Sequence, residues 1–133
     1  MHPYIRESRR IKALQTVVEE DINADLRGGA GIKTLENSVG IGAYRIDLHP
    51  TTKSNRLFYA KSYPFEIPLG SLIPVRIKNL IPACKNIGTT QVTNGCFRVH
   101  PVEWNIGEAA GTLAAFSINS DISLHEIYNS PDR

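Results

Sequence analysis

HPVEWNIGEAAGTLAAF, residues 100–116, decides how the chain reads. It opens as a helix should. Pro101 suits the first turn, and Glu103 puts negative charge near the positive end of the dipole. The interior then holds Gly107 and Gly111, each costing a helix about 1 kcal/mol relative to alanine. Gly107, Ala110, Gly111 and Ala114 follow the spacing i, i+3, i+4, i+7 and so share one face. Trp104, Ile106, Leu113 and Phe116 are the bulky residues around it. A small face kept at that cost predicts close approach by another body, either a sheet against which the helix packs or a ligand.

Outward from this helix the chain divides into short elements. Residues 4–14, YIRESRRIKAL, read as a basic strand, and the capping box Thr16 to Glu19 predicts a helical turn over 17–23. Residues 27–40 are polar and glycine-rich and read as loop. Ala43, Arg45 and Asp47 alternate with Tyr44, Ile46 and Leu48, which predicts a strand over 40–50. RLFYAK, 56–61, is a second strand. Pro64, Pro68 and Pro74 make 64–74 extended or turn-like. NLIPACK, 79–85, reads as a buried strand, although Pro82 removes a ladder donor. Residues 86–99 read as loop. Ser123 to Glu126 is a second capping box, and Ser130-Pro131-Asp132 announces a further helix just before the chain ends at Arg133. That signal reads either as a polar tail or as the start of an element lying beyond this chain.

Composition narrows the function. The chain has 133 residues, 41% of them hydrophobic and 21% charged, with net charge +2. That is one globular domain with no electrostatic case for nucleic acid or a membrane surface. No apolar run approaches the roughly 18 residues of a membrane span. The N-terminus lacks the apolar core of a signal peptide. Cys84 and Cys96 form no disulfide framework and read as free thiols of a cytoplasmic protein.

Several motifs fail on inspection. RGGAGIKT has Ile32 where a phosphate loop needs glycine, and VGIGAY has no third glycine. His2, His49, His100 and His125 have no metal-ligand spacing with the cysteines or with one another, so no metal is expected. Arg9-Arg10 reads as a solvated strand edge or an anion contact. Asp47 and His49 lie on one side of their strand, a placement compatible with acid–base work and also with a loop histidine beside Pro50.

Four stretches together resemble the C-terminal third of FAD-dependent oxidoreductases of the glutathione-reductase-like superfamily: RESRRI at 6–11, YRIDLHP at 44–50, EIPLGSLIP at 66–74, and the long run from Asn79 to Phe116. Within it, the chain resembles the bacterial members with an "RESRR" strand. The resemblance covers about residues 4–118 in the family's order. It implies a mixed α/β fold: part of an FAD/NAD(P)-binding fold, with residues 1–78 in a substrate-side domain, 79–118 as the last strand–loop–helix of the FAD domain, and 119–133 as a truncated helical segment. It also implies that the helix from Pro101 points its start at the flavin, with its small face approaching sheet and cofactor. Cys84, Lys85, Asn86, Ile106 and Gly107 are then the cofactor-binding positions.

The same resemblance gives the chemistry. Arg98 and His100, two residues apart before the helix, take the roles of substrate-holding cation and proton-moving group, with Asp47 and His49 completing the pocket. The alternative is structural: Arg98 pairing with Glu103 or Glu108, and His100 capping the helix. Two departures stand out. Ala83-Cys84-Lys85 replaces the family's Ala-Gly-Arg, and Pro82 replaces a branched aliphatic residue. The family's G-x-G-x-x-G unit is not in this sequence. The chain is therefore expected to be the C-terminal part of a flavoprotein acting on a small organic substrate, inactive alone, and prone to self-association through uncovered apolar faces. A stand-alone, non-catalytic binding module is the alternative.

Overall fold

A computed structural model describes residues 5–130. The elements, in order, are α1 (Glu19–Ile22), β1 (Ser38–Gly42), β2 (Ile46–Leu48), β3 (Phe58–Ala60), β4 (Phe65–Pro68), a 3-10 turn (Leu69–Leu72), α2 (Gln91–Phe97), α3 (His100–Ser120) and α4 (Leu124–Tyr128). The fold is thus mixed, with helices laid on two small antiparallel sheets. β1 pairs with β4, with an irregularity between Ser38 and Ile41. β2 pairs with β3, placing Asp47 opposite Tyr59. The single strand expected over 40–50 is two strands in two sheets, separated at Ala43–Arg45. Gly42 allows this: a Cβ there would lie 2.3 Å from the Phe65 ring.

α3 lies on β1, and α2 lies on β2. The main core forms between them from Ile22, Ile46, Phe65, Ile67, Phe97, Val102 and Ile106 with their neighbours. The Phe65 and Phe97 rings meet at 4.6 Å. A second cluster of Ile73, Leu113 and Leu124 seats α4.

The N-terminal segment is not the expected strand. It is extended chain threaded between two others: Ile11 N–H donates to the Asn86 carbonyl, Leu14 to Ile73, Gln15 to Gly70 and Val17 to Gly88. Alternating between two partners satisfies its backbone without a ladder. A Cβ at Gly88 would lie 2.5 Å from Ala13 Cβ, so glycine is required where the segments cross. α1 starts two residues later than its expected cap, with the Asp21 carboxylate accepting from Val18 N–H at 2.9 Å.

NLIPACK is not a buried strand either. Leu80 is exposed and Pro82 is buried, and residues 79–85 pair with no sheet. Pro82 lacks the donor that a central strand needs. Residues 86–99, read as loop, contain α2. Its cap is reciprocal: Thr90 accepts from Thr93 N–H, and Thr93 Oγ1 accepts from Thr90 N–H. α3 runs past Phe116 to Ser120 and ends on Asp121 in the left-handed conformation, φ 52°. α4 follows its capping box, with Ser123 N–H donating to the Glu126 carboxylate at 2.9 Å. Of the helix start at Ser130-Pro131-Asp132, the last two residues lie outside the described residues.

Of the small face of α3, only Ala110 is buried in the core. The buried face is Val102, Ile106, Ala110 and Leu113. A Cβ at Gly107 would meet only the Ala83 carbonyl at 3.5 Å, and one at Gly111 would meet nothing within 4 Å. Trp104, Phe116 and Ile118 are exposed. Among the described residues, no helix is long and apolar enough to cross a membrane.

Candidate functional site

The cluster is built where α2 rests on β2. Asp47 sits mid-strand and faces the helix. Gly95 permits the contact, because a Cβ there would lie 3.0 Å from both the backbone N and O of Asp47. This brings Arg98, just past the end of α2, across the strand. Its Nη2 donates to the Asp47 carbonyl at 2.6 Å and lies 3.8 Å from Asp47 Oδ2. On its other side, Nε lies 2.8 Å from Glu7 Oε1, carried in by the N-terminal segment. That contact is off the N–H axis, so it is an ion pair rather than a directed hydrogen bond. All three side chains are buried, at 7%, 9% and 6% exposure for Arg98, Asp47 and Glu7.

His49 closes the series at the rim. Its Nε2 lies 3.2 Å from both Asp47 carboxylate oxygens, and its side chain is 31% exposed. With Asp47 ionised, and so accepting only, Nε2 is the donor of this bond and Nδ1 is the other ring nitrogen. Tyr59, across the hairpin, stands edge-on to the His49 ring with centroids 6.4 Å apart. Arg45 lies over the Tyr59 ring, Cζ to centroid 5.3 Å. Cys96, beside the cluster, is pushed up to about 12 by burial and then by Asp47 and Glu19 against the opposing pull of Arg98. It stays a thiol, and is packing rather than a nucleophile.

Three of the four residues assigned chemistry therefore meet: Asp47, His49 and Arg98. His100 does not join them. It is exposed at the start of α3, its ring stacked on Trp104 at 6.5 Å. It is no side-chain cap either, since Val99 is the N-cap. Arg98 pairs with Glu7 and Asp47, not with Glu103 or Glu108. It is buried between Glu7 and Asp47, with Nη2 committed to the Asp47 carbonyl. It holds Asp47. Glu7, Tyr59 and Arg45 were not singled out by sequence reasoning. Glu7 lay in the RESRRI stretch, but no spacing links it to Arg98.

The positions assigned to the cofactor gather in part. The 83–86 segment runs beside the start of α3: Lys85 N–H reaches the Glu103 carboxylate at 3.4 Å, and the Ala83 carbonyl faces Gly107. Lys85 Nζ donates to the Ile5 carbonyl, and Asn94 Nδ2 donates to the Lys85 carbonyl. Cys84 and Asn86 are exposed. Ile106 is the exception. It is fully buried in the core, because its position on α3 is that of Val102 and Ala110, not that of Gly107. Among the described residues, no three His, Cys, Asp or Glu side chains are grouped to hold a metal.

Compared with known families, the chain matches the one described as FAD dependent oxidoreductase over residues 1–131. It belongs to that family. The match takes in every member of the cluster, from Glu7 to Arg98, as well as the 83–86 segment and α3. No curated protein and no solved structure proved similar to the chain.

Proposed function

We propose that this chain is the C-terminal, substrate-side part of a longer flavoprotein of the glutathione-reductase-like type, acting on a small organic substrate, with His49 as its acid–base group. The observation that supports this best is the convergence of Asp47, His49 and Arg98 on one buried-to-exposed series within a chain of this family. FAD, when bound, supplies the two-electron chemistry. The chain's own part is proton handling. His49 takes or returns a substrate proton at Nδ1, Asp47 fixes the ring through Nε2, Arg98 holds Asp47 at its backbone, and Glu7 balances Arg98.

The residues fit an edge of a flavin. Cys84 and Asn86 are exposed, and Gly111 opens onto free space beside exposed Trp104 and Ile118. A flat ring can reach backbone there. Gly107, facing the Ala83 carbonyl, lies one turn before Gly111 on α3, and Ile106 is turned into the core. The glycine-rich cradle for the pyrophosphate is not in this sequence, which is why the reading calls for a longer parent. A cytoplasmic location belongs to the same reading, resting on the two free cysteines. The alternative, a stand-alone binding module, is favoured by one observation: segments from Val17 to Ala110 share a single core.

The experiment is flavin content. Flavin released from the parent protein should be near one equivalent. Gly111→Leu should lower it roughly tenfold with unchanged circular dichroism, because the new side chain occupies the ring's place. Full flavin in that variant, or none in the parent protein, contradicts the proposal.

A further inference from the structure

The β2–β3 hairpin gathers positive charge without neutralising it. Residues 43–63 hold Arg45, Lys53, Arg56 and Lys61 against one carboxylate, Asp47. That carboxylate is buried and already engaged by Arg98 and His49. The whole chain carries a net charge of only +2, so this hairpin supplies its entire cationic excess. Among the described residues, none of the four cations forms an ion pair. A run of cations left unpaired beside an acid–base group points to an anion that arrives from outside.

Three of the hairpin's side chains converge on one spot. Arg45 precedes β2 and His49 follows it, and pairing sets Tyr59 opposite Asp47. The Arg45 guanidinium lies over the Tyr59 ring, and the His49 ring stands against the same ring. A guanidinium held over an aromatic ring keeps its in-plane N–H fork available, and that fork matches a carboxylate. Tyr59 is 50% exposed, and no hydrogen bond to its hydroxyl occurs among the described residues. It is a donor without an acceptor. Arg98 does not take this role, since its side chain is buried between Glu7 and Asp47.

We propose that Arg45 and Tyr59 form a subsite for a carboxylate of the substrate, next to the His49 base. The subsite rests on the reading of His49 given above. It makes the substrate a small organic acid. Arg45 holds the carboxylate by its fork, Tyr59 donates to it, and the bond that loses its proton lies toward His49 Nδ1.

The test uses the 133-residue chain itself, with no flavin. The ring resonances of His49 and Tyr59 are followed while malonate is added at constant ionic strength, with inorganic phosphate as the comparison. Saturable shifts of both rings with malonate, at least tenfold weaker in Arg45→Gln and partly kept in Arg45→Lys, are the expected result. Arg45 is exposed, so neither variant should disturb the fold, and the unchanged core resonances will show it. Absence of saturable shifts, equal shifts in Arg45→Gln, or phosphate binding as tightly as malonate overturns the subsite. If it is overturned while His49→Asn still abolishes flavin reduction in the parent protein, the base stands and only the carboxylate subsite is lost. If His49→Asn also leaves reduction unchanged, the reading of His49 has failed as well.

Discussion

At the scale of single residues, the glycines separate by what a methyl group would meet. Gly95 is the contact that lets Arg98 reach Asp47. Gly95→Ala should cost about 1–3 kcal/mol through overpacking against the Asp47 backbone, more than the helix propensity it gains. Gly111→Ala meets open space and should stabilise the isolated chain by up to about 1 kcal/mol. Chemical denaturation of the two variants checks the opposite signs. The reason for two glycines in α3 was half legible. Their shared face could be read from spacing, but which face turns to the core is decided by Val102, Ile106, Ala110 and Leu113, whose pattern competes with it. The cysteines divide similarly. Cys84 is exposed and Cys96 buried, so a thiol reagent at neutral pH should titrate one group in the folded chain and two after denaturation. The unfolded chain loses the Cys96 proton from about its ordinary 9.0, the folded chain only near about 12, so stability should fall as pH rises through that window. Cys96→Ala should flatten that fall, at the cost of a small cavity.

At the scale of elements, local start signals located α3 and α4, whereas the Thr16–Glu19 box missed the start of α1 by two residues. α3 and α4 start where Pro101 and the Ser123–Glu126 box place them. α2 was missed because Val92, Thr93, Asn94 and Gly95 are poor helix formers. Its existence depends on Cys96 and Phe97 entering the core, and only the Thr90–Thr93 exchange hints at it locally. Ser123→Ala should loosen α4 by about 1 kcal/mol, seen as faster amide exchange over Leu124–Tyr128. The strand misread at 79–85 shows the converse: an apolar run reads as buried when nothing local says where its cover lies. The ion series joins three elements, so its removal should be felt globally. Arg98→Met leaves the Glu7 and Asp47 carboxylates buried without their cation and should cost about 3–5 kcal/mol by urea denaturation.

At the scale of the whole molecule, the site was legible in its chemistry and not in its assembly. Asp47, His49 and Arg98 could be named from the resemblance, but the N-terminal segment that delivers Glu7 was read as a strand, and its actual course between two other segments leaves no period in the sequence. The apolar faces expected to lack cover are partly covered: Leu113 is buried, whereas Leu80, Trp104 and Phe116 are exposed. Trp104, at 72% exposure, and Ile118, at 78%, flank the open surface at Gly111. The isolated chain should therefore associate with rising concentration, and Trp104→Ser should weaken that association in sedimentation velocity.

In the proposed function, His49, held by Asp47, Arg98 and Glu7, moves the substrate proton. Anaerobic stopped-flow of the flavin-loaded parent protein tests it most directly, with flavin absorbance followed through one turnover. His49→Asn should slow flavin reduction by roughly 10²-fold or more with flavin content unchanged, while His100→Asn should leave the rate intact. An unchanged rate in His49→Asn would contradict it.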